Sequence, residues 1–431
     1  MLYNNLTINS QGNLEIGGIS TADLAREYGT PLYVVDEDRL RRNIRVYKEA
    51  MAEHFGPESL PLYASKSLCF KEIYRIVHDE GIHSDVVSPG ELYTALAAGF
   101  PPKQLYFHGN NKTDTDIRYA LTEKVGYFVV DNPTELELLN RFAAERGVKQ
   151  SVLLRITPGI DNHTLKAINT GRVDNQFGVP IETGQAAAFV EQALGMEHLI
   201  IDGFHSHIGS QIFDAKPFCD AVDIILRFAV EMRDRFSFTA GTFNLGGGFA
   251  VRYVQNDAEV DIPGNIAEIA QHLKAGCSES GYPLPRVLLE PGRSIVADTG
   301  LTLYTVGGLK EIAGHRTYVT VDGGMADNPR YALYESAYTV VAAGRMHEAA
   351  DQTMTVAGRA CESGDLIQEH VKLPLLERGD LLAVLGTGAY NFSMASNYNR
   401  LPRPAVVVVS GGKHRLGVRR QNFEDMAALD I

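Results

Sequence analysis

The sequence predicts an α/β protein: a (β/α)8 TIM barrel with a separate, C-terminal β-rich (barrel or sandwich) domain. Between about residues 55 and 290, short β-rich runs alternate with segments that carry apolar residues at helical spacing. After Glu290 the pattern changes to isolated β-runs separated by turns that contain glycine. The 431 residues suffice for a barrel of about 250 residues and one further domain.

Eight β-rich runs define the predicted barrel, and helical patterns such as 133–147 and 218–235 lie between them. Eight βα units in a row are typical of a closed parallel barrel, and a doubly wound open sheet is the alternative. The runs, in order, are LPLYAS, SDVVS, QLYFHG, GYFVV, SVLLRI, LIIDGFHSHIG, TFNLGGG and RVLLEPG.

The β-rich domain is predicted to combine both ends of the chain. The opening NLTINSQGNLEIGG predicts two short strands around a turn, and a helix over 37–55 then leads into the barrel. We therefore expect a barrel over residues 36–290 and a β-domain made of residues 1–35 and 291–431. The β-runs of the later segment are TLYTVGGL, TYVTVDGG, MTVAG, DLLAVLG and AVVVVSGG.

Composition limits the classes of function. Hydrophobic residues make up 45% and charged residues 22%, as in ordinary soluble domains, and the net charge of -13 argues against nucleic-acid or anionic-membrane partners. The first residues, MLYNNLTINS, do not resemble a signal peptide, and no apolar run approaches the roughly 18 residues of a membrane span. Cys69, Cys219, Cys277 and Cys361 form no CxxC pair and no zinc-type cluster, so we expect a reduced, cytoplasmic protein without a metal.

Lys66 lies in LYASKS, at the end of the first predicted barrel strand. Barrel enzymes place their active sites at such strand ends. A lysine there is expected to be desolvated, which lowers the pKa of its amine and frees it for Schiff-base chemistry. Taken alone, a solvated loop lysine is the commoner case.

Two other strand ends carry groups suited to an anionic ligand. Gly246, Gly247 and Gly248 follow a predicted strand, and consecutive glycines let backbone N–H groups approach a phosphate, although a flexible turn has the same composition. In EPGR, the planar, forked guanidinium of Arg293 is suited to binding a phosphate or a carboxylate. Glu290 can hold a proton on a ring nitrogen or simply precede a helix.

His205 and His207 end the sixth predicted strand in HSHIGS. Two positions apart on a strand, they point to the same face, which suits a metal. No acid or cysteine at matching spacing completes such a site. An aromatic lid over a planar cofactor is therefore the preferred interpretation, and a core histidine is the alternative for one of the two.

Three residues of the predicted β-domain are also candidates for the functional site. In CESGD, the thiol of Cys361 stands beside Glu362 and can donate a proton, although a lone cysteine is commonly a small buried hydrophobe. Tyr390 lies in GTGAYNFSMASNYN, where its hydroxyl can reach a phosphate. A core tyrosine fits that position equally well.

Taken together, these motifs resemble the fold-type III pyridoxal-phosphate-dependent decarboxylases, and most closely the diaminopimelate decarboxylases. The resemblance covers nearly the whole chain, from about Thr30 to Val407. It rests on the order and spacing of LYASKS, HSHIGSQ, NLGGGF, EPGR, CESGD and GAYNFSMASNYN.

The resemblance implies pyridoxal 5'-phosphate (PLP) as the cofactor and a role for each matching residue. Lys66 would carry the cofactor as a Schiff base, His207 would stack on its ring, and Glu290 would pair with its ring nitrogen. With Lys66 and His207, Cys361 would form the catalytic set. The other cofactor residues would be Asp85, Arg155, Ser210, Gly246, Gly247, Gly248, Gly292, Arg293 and Tyr390, and the substrate residues Arg293, Arg330, Tyr334, Glu362 and Tyr390.

The activity so implied is decarboxylation of meso-2,6-diaminopimelate to L-lysine and CO2, with Cys361 as the proton donor. Glu290 at the ring nitrogen favours decarboxylation over racemisation, because it keeps that nitrogen protonated and strengthens the electron sink. Arg330 suits the distal carboxylate of the substrate, and Glu362 its distal ammonium. In the family, the residues matching Cys361 and Glu362 reach the active site of the partner subunit, which implies a homodimer.

One loop departs from the family pattern. In HTLKAINTGRVDNQFG, Leu165 and Gln176 stand where the family often has histidine and lysine. A same-fold decarboxylase of a related or modified amino acid, of the ornithine, arginine or carboxynorspermidine type, is therefore an alternative. A non-catalytic PLP-binding protein is another.

Overall fold

The computed structural model describes residues 2–160 and 174–431. The chain forms two compact units. The first consists of Met1–Arg42, Val251–Glu259 and Ile295–Ile431, and the second of Asn43–Ala250 and Val260–Ser294.

The strands, in chain order, are β1 (Leu6–Ile8), β2 (Leu14–Ile16), β3 (Ile19–Ser20), β4 (Leu32–Asp36), β5 (Leu60–Ala64), β6 (His83–Val86), β7 (Leu105–Phe107), β8 (Tyr127–Val130), β9 (Gln150–Thr157), β10 (Val179–Pro180), β11 (Leu199–His205), β12 (Thr242–Asn244), β13 (Arg286–Leu289), β14 (Gly300–Ile312), β15 (Arg316–Val321), β16 (Val340–Ala342), β17 (Gln352–Ala357), β18 (Leu366–Leu373), β19 (Leu381–Leu385), β20 (Ala405–Ser410) and β21 (Lys413–Val418). The α-helices are α1 (Thr21–Tyr28), α2 (Glu37–Phe55), α3 (Lys71–Asp79), α4 (Pro89–Ala97), α5 (Asp114–Thr122), α6 (Pro133–Glu145), α7 (Gln185–Leu194), α8 (Lys216–Phe236), α9 (Ile262–Ser280), α10 (Arg293–Val296), α11 (Arg330–Tyr334) and α12 (Phe423–Ala427).

The second unit contains a closed barrel of eight parallel strands in the order β9-β11-β12-β13-β5-β6-β7-β8. The pairing of β8 with β9, which begins at Tyr127 and Ser151, closes the ring. All eight predicted runs supply a barrel strand, so the predicted barrel is confirmed. An open doubly wound sheet is wrong, because such a sheet would leave β8 and β9 as unpaired edges.

Apolar side chains fill the barrel interior. Leu62, Tyr106, Val129, Leu153 and Leu288 form a buried cluster there, and each is at most 1% exposed. Burying such side chains is the main favourable term in folding, and it makes the interior a packed core rather than a pore. Polar chemistry is therefore confined to the strand ends.

Capped helices begin almost directly after the strands. Asn132 accepts a hydrogen bond of 3.0 Å from the Glu135 N–H at the start of α6, where Pro133 occupies the first helical turn. Ser88 caps α4 in the same way. These short turns fix the residues that end the strands.

Within the described ranges, no helix combines the length and the apolar character that a bilayer span requires.

The first unit is β-rich, as predicted. Its main sheet has the order β18-β17-β15-β14-β4-β20-β21, and β19 pairs with both β14 and β16. The predicted N-terminal pair, β1 and β2, is confirmed as an antiparallel hairpin, but with β3 it forms a separate three-stranded sheet. The buried side chains of Leu14, Leu32, Leu303 and Val407 contribute to one apolar core in this unit.

Candidate active site

The carboxyl ends of the barrel strands gather the polar residues of the second unit. Because the eight strands are parallel, these ends meet on one face of the barrel, where barrel enzymes place their chemistry. Each residue of the set lies in the last three positions of a strand or follows it within two: Lys66 after β5, Asp85 in β6, His108 after β7, Asp131 after β8, Arg155 in β9, His205 in β11, Asn244 in β12 and Glu290 after β13.

Lys66 lies on a single 3-10 turn that follows β5. Two acids hold this turn: Asp85 Oδ1 accepts a hydrogen bond of 2.9 Å from the Ser65 N–H, and Glu91 Oε2 accepts one of 3.1 Å from Ser65 Oγ. Burial raises the pKa of Asp85 well above its usual value, and the charge of Lys66 acts in the opposite direction. Lys66 is exposed, because the turn places it beyond the buried strand. The prediction that this lysine is desolvated is therefore wrong.

Three side chains meet the carboxylate of Glu290. Asn244 Nδ2 donates to Oε1 at 2.7 Å, His108 Nε2 lies 2.9 Å from the same oxygen, and His205 Nε2 lies 3.1 Å from Oε2. None of the four residues is more than 8% exposed. We refer to these four residues as the Glu290 cluster.

The Glu290 cluster overturns one expectation about the histidines. An acid does join His205, but it comes from the turn after β13, and a second histidine comes from β7. His108, His205 and Glu290 each offer one nitrogen or oxygen atom that could bind a metal ion, and these atoms all lie within 4.8 Å of one another. No local spacing reveals this group, because its members are separated along the chain by up to 182 residues.

Burial sets the charge of the Glu290 cluster. It lowers the pKa of His108 below its ordinary value and that of His205 to about 4, although Glu290 opposes both shifts. Burial alone would raise the pKa of Glu290, but the two histidines beside its carboxylate more than offset this effect and hold that pKa well below its usual range. At neutral pH the cluster therefore carries one negative charge, on Glu290.

His207 lies two residues beyond the end of β11. The expectation that it shares a strand face with His205 is therefore wrong. Its ring is partly buried, and burial followed by the charge of Lys66 lowers its pKa well below the usual value. A Cβ atom on Gly246 would lie 2.9 Å from His207 Nδ1, so the glycine run packs directly against this histidine.

The glycine run packs against two neighbouring segments at distances that exclude side chains. A Cβ atom on Gly247 would lie 2.0 Å from the carbonyl oxygen of Glu290, and one on Gly248 would lie 2.4 Å from that of Gly209. Gly246 also has a φ of 69°, in the left-handed region that favours glycine. Only glycine fits these positions, which answers the alternative of a merely flexible turn.

Ser210 and Arg293 are brought together from different strand ends. Arg293 Nε donates a hydrogen bond of 3.1 Å to Ser210 Oγ. Gly292 packs closely against the end of β5, where a Cβ atom would lie 2.8 Å from the Cβ atom of Ala64. A buried guanidinium beside a hydroxyl and a glycine run is suited to a phosphate.

Arg155 lies buried in β9 and contacts groups on both sides. Its Nε lies 3.7 Å from Asp131 Oδ1, and its guanidinium stacks 4.6 Å from the centre of the Phe177 ring. Burial lowers the pKa of Arg155 from its ordinary value. Of the two departures from the family pattern, Gln176 is exposed, and Leu165 lies outside the described residues.

Arg330 and Tyr334 are the first and last residues of α11, in the first unit. Arg330 is 6% exposed and donates hydrogen bonds to Tyr338 Oη at 2.8 Å and Ser336 Oγ at 3.1 Å. None of its contacts within 2–160 and 174–431 is an ion pair with an acid. A buried guanidinium that pairs only with neutral hydroxyls leaves its charge for a carboxylate from outside the chain.

Cys361, Glu362 and Tyr390 also belong to the first unit. Cys361 and Glu362 are exposed, so a small buried hydrophobe is the wrong interpretation of this cysteine. The Cys361 N–H donates to Asn399 Oδ1 at 2.6 Å, and the hydroxyl of Tyr398 donates to Glu362 Oε2 at 3.4 Å. Tyr390 is partly buried and has a φ of 63°, which agrees with the turn predicted for it.

Comparison with known proteins identifies the family. Residues 37–297 match the family model described as "Pyridoxal-dependent decarboxylase, pyridoxal binding domain". The chain is 46% identical over 423 residues to the diaminopimelate decarboxylase of Bacillus subtilis (strain 168), covering 98% of this chain and 96% of that protein. This chain belongs to the diaminopimelate decarboxylase family of pyridoxal-dependent decarboxylases. The family assignment from motifs is thus confirmed.

Other relatives agree. The diaminopimelate decarboxylase of Staphylococcus aureus (strain COL) is 42% identical, with 98% of both chains covered. The crystal structure of diaminopimelate decarboxylase from M. jannaschii in complex with L-lysine matches with a TM-score of 0.92 and 33% identity, over 99% of this chain and 98% of that one. A lysine/ornithine decarboxylase from Vibrio vulnificus, in complex with putrescine, matches with a TM-score of 0.75 and 25% identity, over 91% and 97% of the two chains.

The second unit fits PLP, the cofactor of the family. Glu290, ionised and held by three partners, suits a protonated ring nitrogen. Lys66 supplies an amine on a fixed turn, and the glycine run with Ser210 and Arg293 suits a phosphate. These three features correspond to the ring nitrogen, the aldehyde and the phosphate of the cofactor.

Sequence reasoning missed three residues of this face: His108, Asn244 and Glu91. His108 and Asn244 occur in the predicted runs QLYFHG and TFNLGGG, where a polar residue at a strand end is the available signal. Glu91 lies in the first turn of α4. Its contact with Ser65 has no counterpart in local sequence.

Proposed function

We propose that this chain catalyses the PLP-dependent decarboxylation of meso-2,6-diaminopimelate to L-lysine and CO2. The observation that carries the proposal is the combination of Lys66 and an ionised Glu290 on the barrel face of a chain 46% identical to a named diaminopimelate decarboxylase. Membership in the family establishes a decarboxylase that uses PLP and acts on an amino acid. The choice of amino acid is the part that needs an experiment.

The cofactor residues divide the binding of PLP among them in this proposal. Lys66 binds the cofactor covalently, Glu290 holds the proton of its ring nitrogen, and His207 covers its ring. Asp85 holds the turn of Lys66, and Arg155 supports the site. The phosphate is held by Ser210, Gly246, Gly247, Gly248, Gly292, Arg293 and Tyr390.

The reaction breaks the bond between Cα and its carboxylate and replaces that carboxylate with a proton. Bound PLP supplies the electron sink that accepts the bonding pair as CO2 leaves. Glu290 keeps the ring nitrogen protonated, which strengthens that sink. Cys361 delivers a proton from Sγ to the carbon that lost CO2, so the electron pair ends in a C–H bond.

Selection of the substrate is assigned to Arg330, aided by Arg293, Tyr334, Glu362 and Tyr390. Diaminopimelate has a distal carboxylate, which ornithine and arginine lack. Arg330 is a buried cation whose hydrogen bonds to the described part of the chain all go to neutral hydroxyls. The carboxylate of Glu362 accepts hydrogen bonds from the distal ammonium. A site that binds a charge by desolvated groups discriminates strongly against an analogue without it.

We further propose a cytoplasmic homodimer in which Cys361 and Glu362 complete the active site of the partner subunit. Both residues are exposed in the single chain, which agrees with a role outside their own subunit. Nucleic acid and membrane are not partners in this proposal, in keeping with the net charge of -13.

The test is CO2 release by the purified, PLP-loaded protein. Meso-diaminopimelate, ornithine, arginine and carboxynorspermidine are compared at equal concentration, and the highest kcat/KM is expected for meso-diaminopimelate. Faster turnover of another amino acid would assign the chain to the related decarboxylases. Bound cofactor without turnover of any of the four would instead indicate the non-catalytic PLP-binding protein.

A further inference from the structure

We propose that His108 and His205 are positioning residues that remain neutral and hold Glu290 ionised and oriented for the ring nitrogen of PLP. This inference rests on the proposed assignment of Glu290 to that nitrogen. The family resemblance implies no role for either histidine. Their role follows from the geometry of the Glu290 cluster.

The carboxylate of Glu290 has a limited number of acceptor positions. A carboxylate offers about four lone-pair positions, two on each oxygen. Asn244 Nδ2 donates to Oε1 of Glu290, and His205 Nε2 contacts Oε2. His108 Nε2 lies 2.9 Å from Oε1, but without the alignment of a hydrogen bond. One position on Oε2 remains, which matches a single N–H donor such as a protonated ring nitrogen.

The surroundings of His205 favour a neutral imidazole. Its Nε2 faces Glu290, while its Nδ1 is buried and has no hydrogen-bond partner among residues 2–160 and 174–431. A cationic imidazole would carry an N–H at Nδ1 without an acceptor, and an unpaired buried donor is costly. The neutral tautomer with its proton on Nε2 satisfies Glu290 and leaves only a lone pair at Nδ1.

The surroundings of His108 also favour a neutral imidazole. Its ring centre lies 4.9 Å from that of His205 at an interplanar angle of 75°, so a positive charge on either ring disfavours one on the other. Arg155 and Lys112 add positive charge near His108 and act in the same direction. Both imidazoles are therefore neutral beside the carboxylate, and His205 Nε2 is the donor to Oε2.

The charge of the cluster is what makes this arrangement useful. With both histidines neutral, the four residues carry one net negative charge, which a protonated ring nitrogen balances. If either histidine were cationic, it would neutralise Glu290, and the ring nitrogen would lose its charged partner. Two neutral imidazoles position the acid without competing for its charge.

The test compares two cofactors in the full-length protein after removal of its own PLP. One is PLP, and the other is its analogue with a carbon atom in place of the ring nitrogen. The ratio of their dissociation constants isolates the contact to that nitrogen. The variants are His108→Leu and His205→Leu, with His108→Gln and His205→Gln as conservative replacements that keep an N–H near the position of Nε2. His83→Leu serves as a matched control, since it removes another barrel histidine, on β6.

We expect the wild type to prefer PLP over the analogue and each leucine variant to lose about tenfold of that preference, as for a hydrogen bond to a charged group. The glutamine variants should restore most of it, and His83→Leu should leave it unchanged. Leucine variants that fold and keep the full preference would show that the histidines only fill space, and would overturn the proposal. So would a stoichiometric divalent metal in the purified protein that the leucine variants lose.

A second measurement does not depend on the folding of the leucine variants. In ¹⁵N spectra of histidine-labelled protein, the two imidazoles that disappear in His108→Gln and His205→Gln should be neutral, with the proton on Nε2, from pH 6 to 8. An imidazolium signal from either residue would overturn the proposal. Because both experiments measure cofactor binding and protonation, a different preferred amino acid would contradict the proposed function and leave these results unchanged.

Discussion

The backbone N–H of Ser65 donates a hydrogen bond of 2.9 Å to Asp85 Oδ1. Ser65 is fully buried and Asp85 is 3% exposed, so water cannot readily replace this contact. The bond ties β6 to the turn that carries Lys66. The position of the lysine thus depends on a neighbouring strand as well as on its own.

Replacing Asp85 with alanine should loosen that turn. The Ser65 N–H would become an unpaired buried donor, which costs about 1–3 kcal/mol. We expect Asp85→Ala to lower the urea midpoint and to slow covalent incorporation of PLP. Asp85→Asn retains Oδ1 as an acceptor and is the matched control. If both variants incorporated PLP at the wild-type rate, the turn would not depend on this bond.

Lys66→Ala should abolish covalent attachment of PLP. The check is borohydride reduction of the loaded protein followed by mass spectrometry, in which the wild type gains one cofactor and the variant none. Lys71→Ala is the control, because Lys71 is an exposed lysine at the start of the following helix. A reduced adduct that persists in Lys66→Ala would mean that another lysine carries the cofactor.

The parts of this site that the sequence predicts depend on local patterns, and the parts that it does not predict depend on contacts between residues far apart in the chain. Lys66 and the glycine run stand at ends of β-rich runs, and strand ends are visible in a local pattern. The Glu290 cluster was not predicted, since His108 and Glu290 are joined by barrel closure across 182 residues. The exposure of Lys66 was mispredicted because local hydrophobicity describes β5 and not the turn that follows it.

Replacing Arg330 with glutamine should weaken binding of meso-diaminopimelate specifically. Loss of a charged hydrogen-bonding partner for a carboxylate costs about 1.5–3 kcal/mol, so KM should rise roughly 10-fold to 100-fold. Arg330→Lys keeps the charge but not the planar fork, so its KM should lie between those of the wild type and Arg330→Gln. An unchanged KM in Arg330→Gln would remove this residue from substrate binding.

Mixing two inactive variants should restore activity if active sites are shared between subunits. Lys66→Ala lacks the cofactor lysine and Cys361→Ala lacks the proton donor, so a hybrid dimer regains one intact site. After exchange of subunits at equal amounts, about a quarter of wild-type activity is expected for a two-fold dimer. Cys361→Ala alone should bind PLP normally. Failure of the mixture to gain activity despite confirmed hybrid formation would place both residues in the same subunit's site.

Asp327 lies at the centre of a buried polar group in the first unit. The hydroxyl of Tyr304 donates to its Oδ1, the N–H of Gly324 donates to Oδ2 at 3.2 Å, and the hydroxyl of Tyr33 donates to its backbone carbonyl. Asp327 is only 5% exposed. Burial raises the pKa of this carboxyl to about 7 against the opposing effect of its donors.

This raised pKa predicts that the folded state loses stability as pH rises from about 4 to 7. In that window the folded protein keeps the Asp327 proton that the unfolded chain, with an ordinary aspartate pKa near 3.9, has already released. The contribution is present below pH 4, falls as pH passes through the window, and is fully lost above about 7, a total on the order of 4 kcal/mol. Asp327→Asn cannot ionise and should remove this component. Scanning calorimetry at pH 5 and pH 8 should therefore show a smaller fall in Tm for Asp327→Asn than for the wild type, and equal falls would contradict a protonated Asp327.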